Sequence, residues 1–408
     1  MRVVDVTQWH SASSGGIRTY LNAKAAWADE QGLAHAAIVT GPAPSHGHLG
    51  GSPLVTLRGR TPTASWGYHL AVRPGPLLAA LSKLEPDVVV LHDTNSFPRS
   101  VSRWARSRGV PLAILVHSDL AIAAEGLPKA LRSPAAWALG TVQRRGLEAP
   151  DLVIVTSQES HRRVAADACC PAVISPLGVD LEPFSSAMPD ERMRRELAGD
   201  DEVLLVYAGR LSNEKRVDLL PQMLAELGRP AVLALAGAGA SAAAVRRQAR
   251  ALGVESRIRE LGFVSDRTEL ATLMATADAF VHPSPHEPYG LAPLEAHACR
   301  TRVVAPRTGG TGETLTGRAG VALVEPASAR ALADGVTAVL GEARPEPDLS
   351  DLGWDATFAR EWELYRRLDA REPVGLAPRR TTDGSEPALL SRDGGAAEDA
   401  ALDPGRRR

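Results

Sequence analysis

The chain has 408 residues, 44% of them hydrophobic, and a formal net charge of -2. That length suits two domains, and the apolar share lets each bury a full core. Arginine is scattered along the chain, so there is no basic footprint and nucleic acid is not an expected partner. Cys169 and Cys170 are adjacent and Cys299 stands alone. They offer no zinc spacing and no disulfide framework, which fits a reducing, cytoplasmic setting. The opening Met1-Arg2-Val3-Val4-Asp5-Val6 is too short an apolar stretch for a signal peptide. No run reaches the roughly 18 apolar residues of a membrane span. Peripheral contact with a membrane surface stays open.

Short β-rich runs alternate with longer helical patterns, the signature of α/β architecture with a parallel sheet in each half. Strands are expected at 3–6, 36–40, 54–57, 88–92, 112–117, 152–156 and 172–174, with helices at 19–31, 75–84, 96–108, 137–148 and 158–166. Residues 45–68, rich in Gly, Pro and Ser, read as a mobile loop, and Trp66, Tyr68 and Trp9 are either aromatic candidates for stacking on a ligand or core or surface filler. Residues 177–186, bracketed by Pro176 and Pro183, carry few helix or strand signals and read as the boundary between halves. Further strands are expected at 203–208, 231–236, 258–261, 279–281, 302–305 and 320–324. Helices are expected at 217–227, 241–252, 267–275, 291–299, 312–315, 328–340 and 356–368. The domains are therefore expected at 1–180 and 186–345, with a helical segment at 351–369. Residues 371–408 hold almost no large apolar side chain and read as a disordered tail.

The most informative stretch is His286-Glu287-Pro288-Tyr289-Gly290-Leu291-Ala292-Pro293-Leu294-Glu295-Ala296. It follows the apolar run 279–281, and Pro293 is tolerated only in the first turn of a helix, so the helix should begin near Leu291. Backbone amides at Tyr289, Gly290 and Leu291 would then face the strand end, where such groups bind anions or sugar oxygens. Glu287 and Glu295 can accept hydrogen bonds from hydroxyls. The combination suits a ligand bearing both phosphate and hydroxyls, a nucleotide sugar.

A second motif, Ala208-Gly209-Arg210-Leu211-Ser212-Asn213-Glu214-Lys215, also sits between a strand and a helix. Gly209 permits a sharp turn, the fork of Arg210 fits phosphate oxygens and Lys215 adds a point charge. Strand ends are where such folds bind ligands. The bland alternative is two solvated cations, since charged surface residues are common. Gly15-Gly16 after the first strand permits close backbone approach to a ligand, or is an ordinary turn. His117, followed by Ser118 and Asp119, ends an apolar run and can bond a sugar hydroxyl, although most lone histidines are structural. His10, His92 and Asp93 also lie at strand ends facing the same side. Gly309-Gly310-Thr311-Gly312-Glu313 reads as a second Gly-rich loop or a flexible connection, as do Gly237 and Gly239. Gly262-Phe263-Val264 offers an apolar wall for a flat base.

Together these residues resemble the large retaining glycosyltransferase family 4, whose members have the GT-B fold. The resemblance spans roughly residues 1–368 and is strongest over 203–313, where the motifs occur in the family's order. It implies two Rossmann-like domains facing each other across a cleft, the second binding the donor, and a C-terminal helix crossing back to the first. It implies that Arg210 and Lys215 hold the diphosphate, Glu295 the ribose and Glu287 the donor sugar. Residues 261–264, with Phe263 and Val264, border the base, Gly16 approaches the phosphates and His117 meets the transferred sugar. Arg300 and Arg302 stand where the family usually has Gly and Pro, and Tyr289 where Phe is commoner.

No two aspartates are separated by one residue, so an Asp-x-Asp metal motif is missing. No cofactor is expected. Arg210, Lys215 and backbone amides would stabilise the leaving diphosphate. The expected reaction is transfer of a hexosyl unit with retention through front-face attack, with His117, Glu287, Arg210 and Lys215 as the catalytic set and Glu287 disfavoured as a nucleophile. The donor stays open among GDP-mannose, UDP-glucose and UDP-N-acetylglucosamine types, and the acceptor among lipid, saccharide, thiol or natural product. A nucleotide-sugar epimerase and a non-catalytic nucleotide-sugar-binding subunit are the competing readings. A dehydrogenase fits poorly, because only Gly15-Gly16 stands where Gly-x-Gly-x-x-Gly would be.

Overall fold

The structure, a computed structural model, describes residues 1–10, 15–61, 68–117, 120, 124 and 129–374. Trp66, Ser118, Asp119 and the expected tail beyond 374 lie outside them.

Two sheets organise the chain. The first contains β1 (Arg2–Val6), β2 (Ala34–Gly41), β3 (Ser45–Leu49), β4 (Ser52–Arg58), β5 (Val88–His92), β6 (Leu112–Val116), β7 (Leu152–Val155) and β8 (Ala172–Ile174) in the order β3-β4-β2-β1-β5-β6-β7-β8. All neighbours are parallel except β3 and β4. The second contains β9 (Val203–Ala208), β10 (Ala231–Ala236), β11 (Ile258–Gly262), β12 (Ala279–Val281), β13 (Arg302–Pro306) and β14 (Val321–Val324) in the order β11-β10-β9-β12-β13-β14, all parallel. The central strands are continuous aliphatic runs, buried throughout β5, β6 and β10, because helices cover both faces of such sheets. Each sheet reverses its strand order once, between β1 and β5 and between β9 and β12. Open α/β sheets bind ligands at such reversals.

The segment expected to be a mobile loop is partly regular. Residues Ser45–Leu49 pair antiparallel with β4. This edge strand is exposed and polar, with His46 and His48, so it lacks the alternation that would announce it. The boundary region is also more ordered than its composition suggested. It carries helices Leu181–Ser186 and Glu191–Leu197, the second capped by the Asp190 side chain on the amides of Arg192 and Met193. Gly309-Gly310-Thr311-Gly312 is no loop: it opens helix Gly309–Leu315. Arg300 adopts a left-handed φ of 61°, so the turn is as tight as the usual glycine would make it.

The last described helix, Trp354–Asp369, packs against helix Gly16–Glu30. Trp27 lies 5.8 Å from the rings of both Phe358 and Trp362. Beneath them lies a buried polar cluster in which Lys24 Nζ is 3.1 Å from Asp5 Oδ1 and 3.5 Å from Glu361 Oε2, all three side chains fully buried. The connection from the first sheet to the second runs beside the return to this helix: the Val179 amide donates to the Leu352 carbonyl at 2.6 Å.

Candidate active site

Gly209 and Arg210 follow β9, and the Glu287 loop follows its neighbour β12. Gly209, with φ 151°, turns the chain where a side chain would be strained. Lys215 ends a short 3-10 turn, Asn213–Lys215. Its ammonium is hydrogen-bonded to Glu287 Oε2. Burial opposes the charge on Glu287, yet Lys215 and then His282 hold its carboxyl far below the usual range. His282 Nε2 sits 3.6 Å from the same oxygen, too far for a hydrogen bond. Among the described residues neither of its buried ring nitrogens has a hydrogen-bond partner.

Arg210 reaches across to the first half of the chain, donating from Nη2 to the Tyr68 hydroxyl at 2.9 Å. Tyr68 is buried and packs edge-on against Trp9 at 5.2 Å. Of its two readings, stacking surface or filler, the burial favours the second. Its ring is core, and its hydroxyl serves Arg210.

Helix Leu291–Ala298 begins at the expected residue, with Gly290 before it at φ 94°. A Cβ on Gly290 would strike Thr311, so only glycine fits. Tyr289 is buried, and its hydroxyl, which the commoner Phe would lack, donates to the Leu177 carbonyl at 2.5 Å. Glu295 lies one turn into the helix, 5% exposed, and accepts from Arg267 at 2.8 Å. On the base side, Leu261 and Phe263 are exposed and Val264 is partly buried against the core.

From the first sheet, Gly16 opens the helix after β1, and a Cβ there would sit 3.5 Å from Leu291 Cδ1. Gly15 precedes that helix without a side-chain cap. The two halves also meet where Glu313 accepts from the amides of Gln158 and Glu159 at 2.9 and 3.1 Å, capping helix Gln158–Val164. A cleft of about 230 Å³ opens nearby, with Gln143, Arg144 and Arg163 on one wall and His286, Glu287 and Gly309 on the other. His117 follows β6, half-buried, its Nε2 2.7 Å from His92 Nδ1. Burial, then His92, press its pKa well below that of an ordinary imidazole. His92 is wholly buried, and Asp93 accepts from the His117 amide at 2.8 Å.

Sequence reasoning missed Arg267, His282, Glu313 and the Tyr68 hydroxyl as partners of the site. Arg267 had one legible signal. It is a cation in the first turn of a helix, where the dipole disfavours positive charge, so a nearby anion was to be expected.

Two facing α/β units with cations and carboxylates at the strand reversal define a glycosyltransferase of the GT-B class. Residues 189–350 match Glycosyl transferases group 1 and residues 15–178 match the Glycosyl transferase 4-like domain. The chain belongs to this family and is a hexosyltransferase by class. It is 35% identical over 328 residues to a GDP-mannose-dependent alpha-(1-6)-phosphatidylinositol dimannoside mannosyltransferase of Mycobacterium tuberculosis, covering 78% of this chain and 83% of that protein. It is 31% identical over 320 residues to a D-inositol 3-phosphate glycosyltransferase of Kineococcus radiotolerans, covering 69% and 71%. Sucrose-phosphate synthase from Thermosynechococcus elongatus shares the fold, with a TM-score of 0.75 at 20% identity over 91% of this chain and 100% of that one. Among the described residues no helix is long and apolar enough to cross a membrane.

Proposed function

We propose that this chain is a retaining, metal-independent mannosyltransferase that uses GDP-mannose, with a hydroxyl-rich acceptor presented at a membrane surface on the cytoplasmic side. The observation that carries it is the ion pair of Lys215 with Glu287 at the β9–β12 reversal. A cation and a hydroxyl-accepting carboxylate stand together where a sugar diphosphate needs both. The identity with the mycobacterial mannosyltransferase supports mannose and a lipid-linked acceptor.

In this reading residues 186–345 bind the donor, 1–180 shape the acceptor side, and 351–369 tie the two together. Arg210, Lys215 and the amides of Tyr289, Gly290 and Leu291 hold the diphosphate and take up charge as the glycosidic bond breaks. Glu287 meets sugar hydroxyls, Glu295 the ribose, Phe263 and Val264 the base, and Gly15-Gly16 the phosphates from the opposite side. Glu287 is a poor nucleophile, because Lys215, bonded to its Oε2, draws on the negative charge that an attack would use. That favours front-face attack, with the acceptor entering beside the leaving diphosphate and His117 on the transferred sugar.

Thermal-shift measurements against a panel of nucleotide sugars test the donor. GDP-mannose at about 100 times its dissociation constant should add roughly 2.7 kcal/mol of stability. A larger shift with a UDP-sugar would reassign the donor. Turnover that a chelator abolishes and a divalent ion restores would refute metal independence.

A further inference from the structure

We infer that Asp5 and His92 fix the tautomer of His117, so that its ring offers the transferred sugar a hydrogen-bond acceptor and never a donor. The inference rests on the nucleotide-sugar reading above and names a specificity that follows from it.

Asp5, His92 and His117 come from the three neighbouring strands β1, β5 and β6, which places them side by side at the reversal of the first sheet. Asp5 is 1% exposed. Burial opposes its charge, but Lys24, with His35 and His92, holds its carboxyl well below the ordinary range. Its Oδ1 faces Lys24 Nζ at 3.1 Å and His92 Nε2 at 3.1 Å, while Oδ2 faces His35 Nε2 at 2.7 Å. A carboxylate only accepts, so His92 Nε2 must carry the proton. In a neutral imidazole the other nitrogen is then a lone pair. His92 Nδ1, lying 2.7 Å from His117 Nε2, can therefore only receive a proton from it. The two rings are within 6° of coplanar, as an in-plane bond between imidazoles requires. The Tyr20 ring stands edge-on to both, at 5.3 and 5.5 Å, and blocks their rotation. His117 is left with Nε2 as donor to His92 and Nδ1 as a lone pair.

A lone pair accepts from a hydroxyl and repels a carboxylate. The sequence Asp5–His92–His117 thus selects a neutral hexose over a uronic acid bearing a carboxylate at the position His117 meets. Asp5 and His92 act as positioning residues, since neither has to touch the sugar.

Long-range proton–nitrogen NMR on the full chain, labelled at histidine nitrogens and held at pH 7.5, reads the tautomers directly. His92 and His117 should both be neutral and protonated at Nε2. A His117 protonated at Nδ1, or at both nitrogens, overturns the inference. Kinetics provide the second arm, with GDP-mannose and GDP-mannuronate as donors. His92→Leu should lower kcat/KM for GDP-mannose at least tenfold and narrow the preference between the donors by a similar factor. His92→Gln, whose amide donates to Asp5 and accepts from His117, should keep most of both. Equal losses in the two variants would mean a merely structural His92 and would also overturn it. Absence of any sugar transfer by the unaltered chain would count against the proposed function, while the NMR result would still decide the tautomer.

Discussion

Lys215 and Glu287 lie 72 positions apart in sequence, yet they share a hydrogen bond at the ends of two adjacent strands. Each is less than a third exposed, so the pair is neither a solvated surface contact nor a sealed interior one. Removing the ammonium leaves Glu287 without its main stabilising charge. Lys215→Ala should therefore slow transfer tenfold or more, in line with about 1.5–3 kcal/mol for a charge-assisted bond. In steady-state assays, Lys215→Ala combined with Glu287→Gln should cost less than the sum of the two single changes. Near-normal turnover by Lys215→Ala would remove the donor role assigned to it.

The Tyr68 hydroxyl accepts from Nη2 of Arg210 and so can orient the guanidinium fork. Tyr68→Phe keeps the packing against Trp9 and deletes only that oxygen. The KM for the donor should rise about three- to tenfold with kcat nearly unchanged, the loss expected for one hydrogen bond to a charged group. A drop in kcat at constant KM would instead place the hydroxyl in the chemical step.

Arg267 pairs with the nearly buried Glu295, and its guanidinium also lies 4.5 Å from the Phe184 ring. Arg267→Ala strands a carboxylate in a poorly solvated place and should cost about 1–3 kcal/mol of stability by urea unfolding. Adding Glu295→Gln should recover part of that loss. If the double variant is no more stable than Arg267→Ala, the packing on Phe184 and not the ion pair accounts for the effect.

His297 is buried in helix Leu291–Ala298 with Nδ1 unpartnered. Burial first and Arg318 second push its pKa down to about 4, against a smaller opposing pull from Asp351. In the unfolded chain it should titrate near 6.5. The folded state disfavours the proton, so the contribution of neutral His297 is complete above about pH 6.5 and erodes as pH falls toward about 4. Substituting His297→Leu should flatten that part of the stability profile, by up to about 3 kcal/mol. An unchanged slope between those pH values would show that other groups dominate the acid response.

The strand runs were legible because a parallel sheet covered on both faces demands unbroken aliphatic stretches, and the cores of both sheets obey this. The start of the helix at Leu291 was legible for a similar reason, since Pro293 confines it to the first turn. Elements with no apolar pattern escaped notice. The edge strand Ser45–Leu49 is polar and exposed, and helix Glu191–Leu197 buries no residue. The strand is held by backbone pairing, and the helix by the Asp190 cap and the partly buried Met193 and Leu197, too short an apolar pattern to announce a helix.

The sequence by itself determined two α/β units and the strand ends where chemistry could gather, because periodicity and strand-to-loop punctuation are local properties. It also placed Lys215 and Glu287 as candidates for one site. Only the tertiary structure decided the pairings: Arg210 with Tyr68, Glu295 with Arg267, and Asp5 through His92 to His117. Each joins residues from elements separated along the chain, and which strands become neighbours is set by sheet order and not by the residues near either partner.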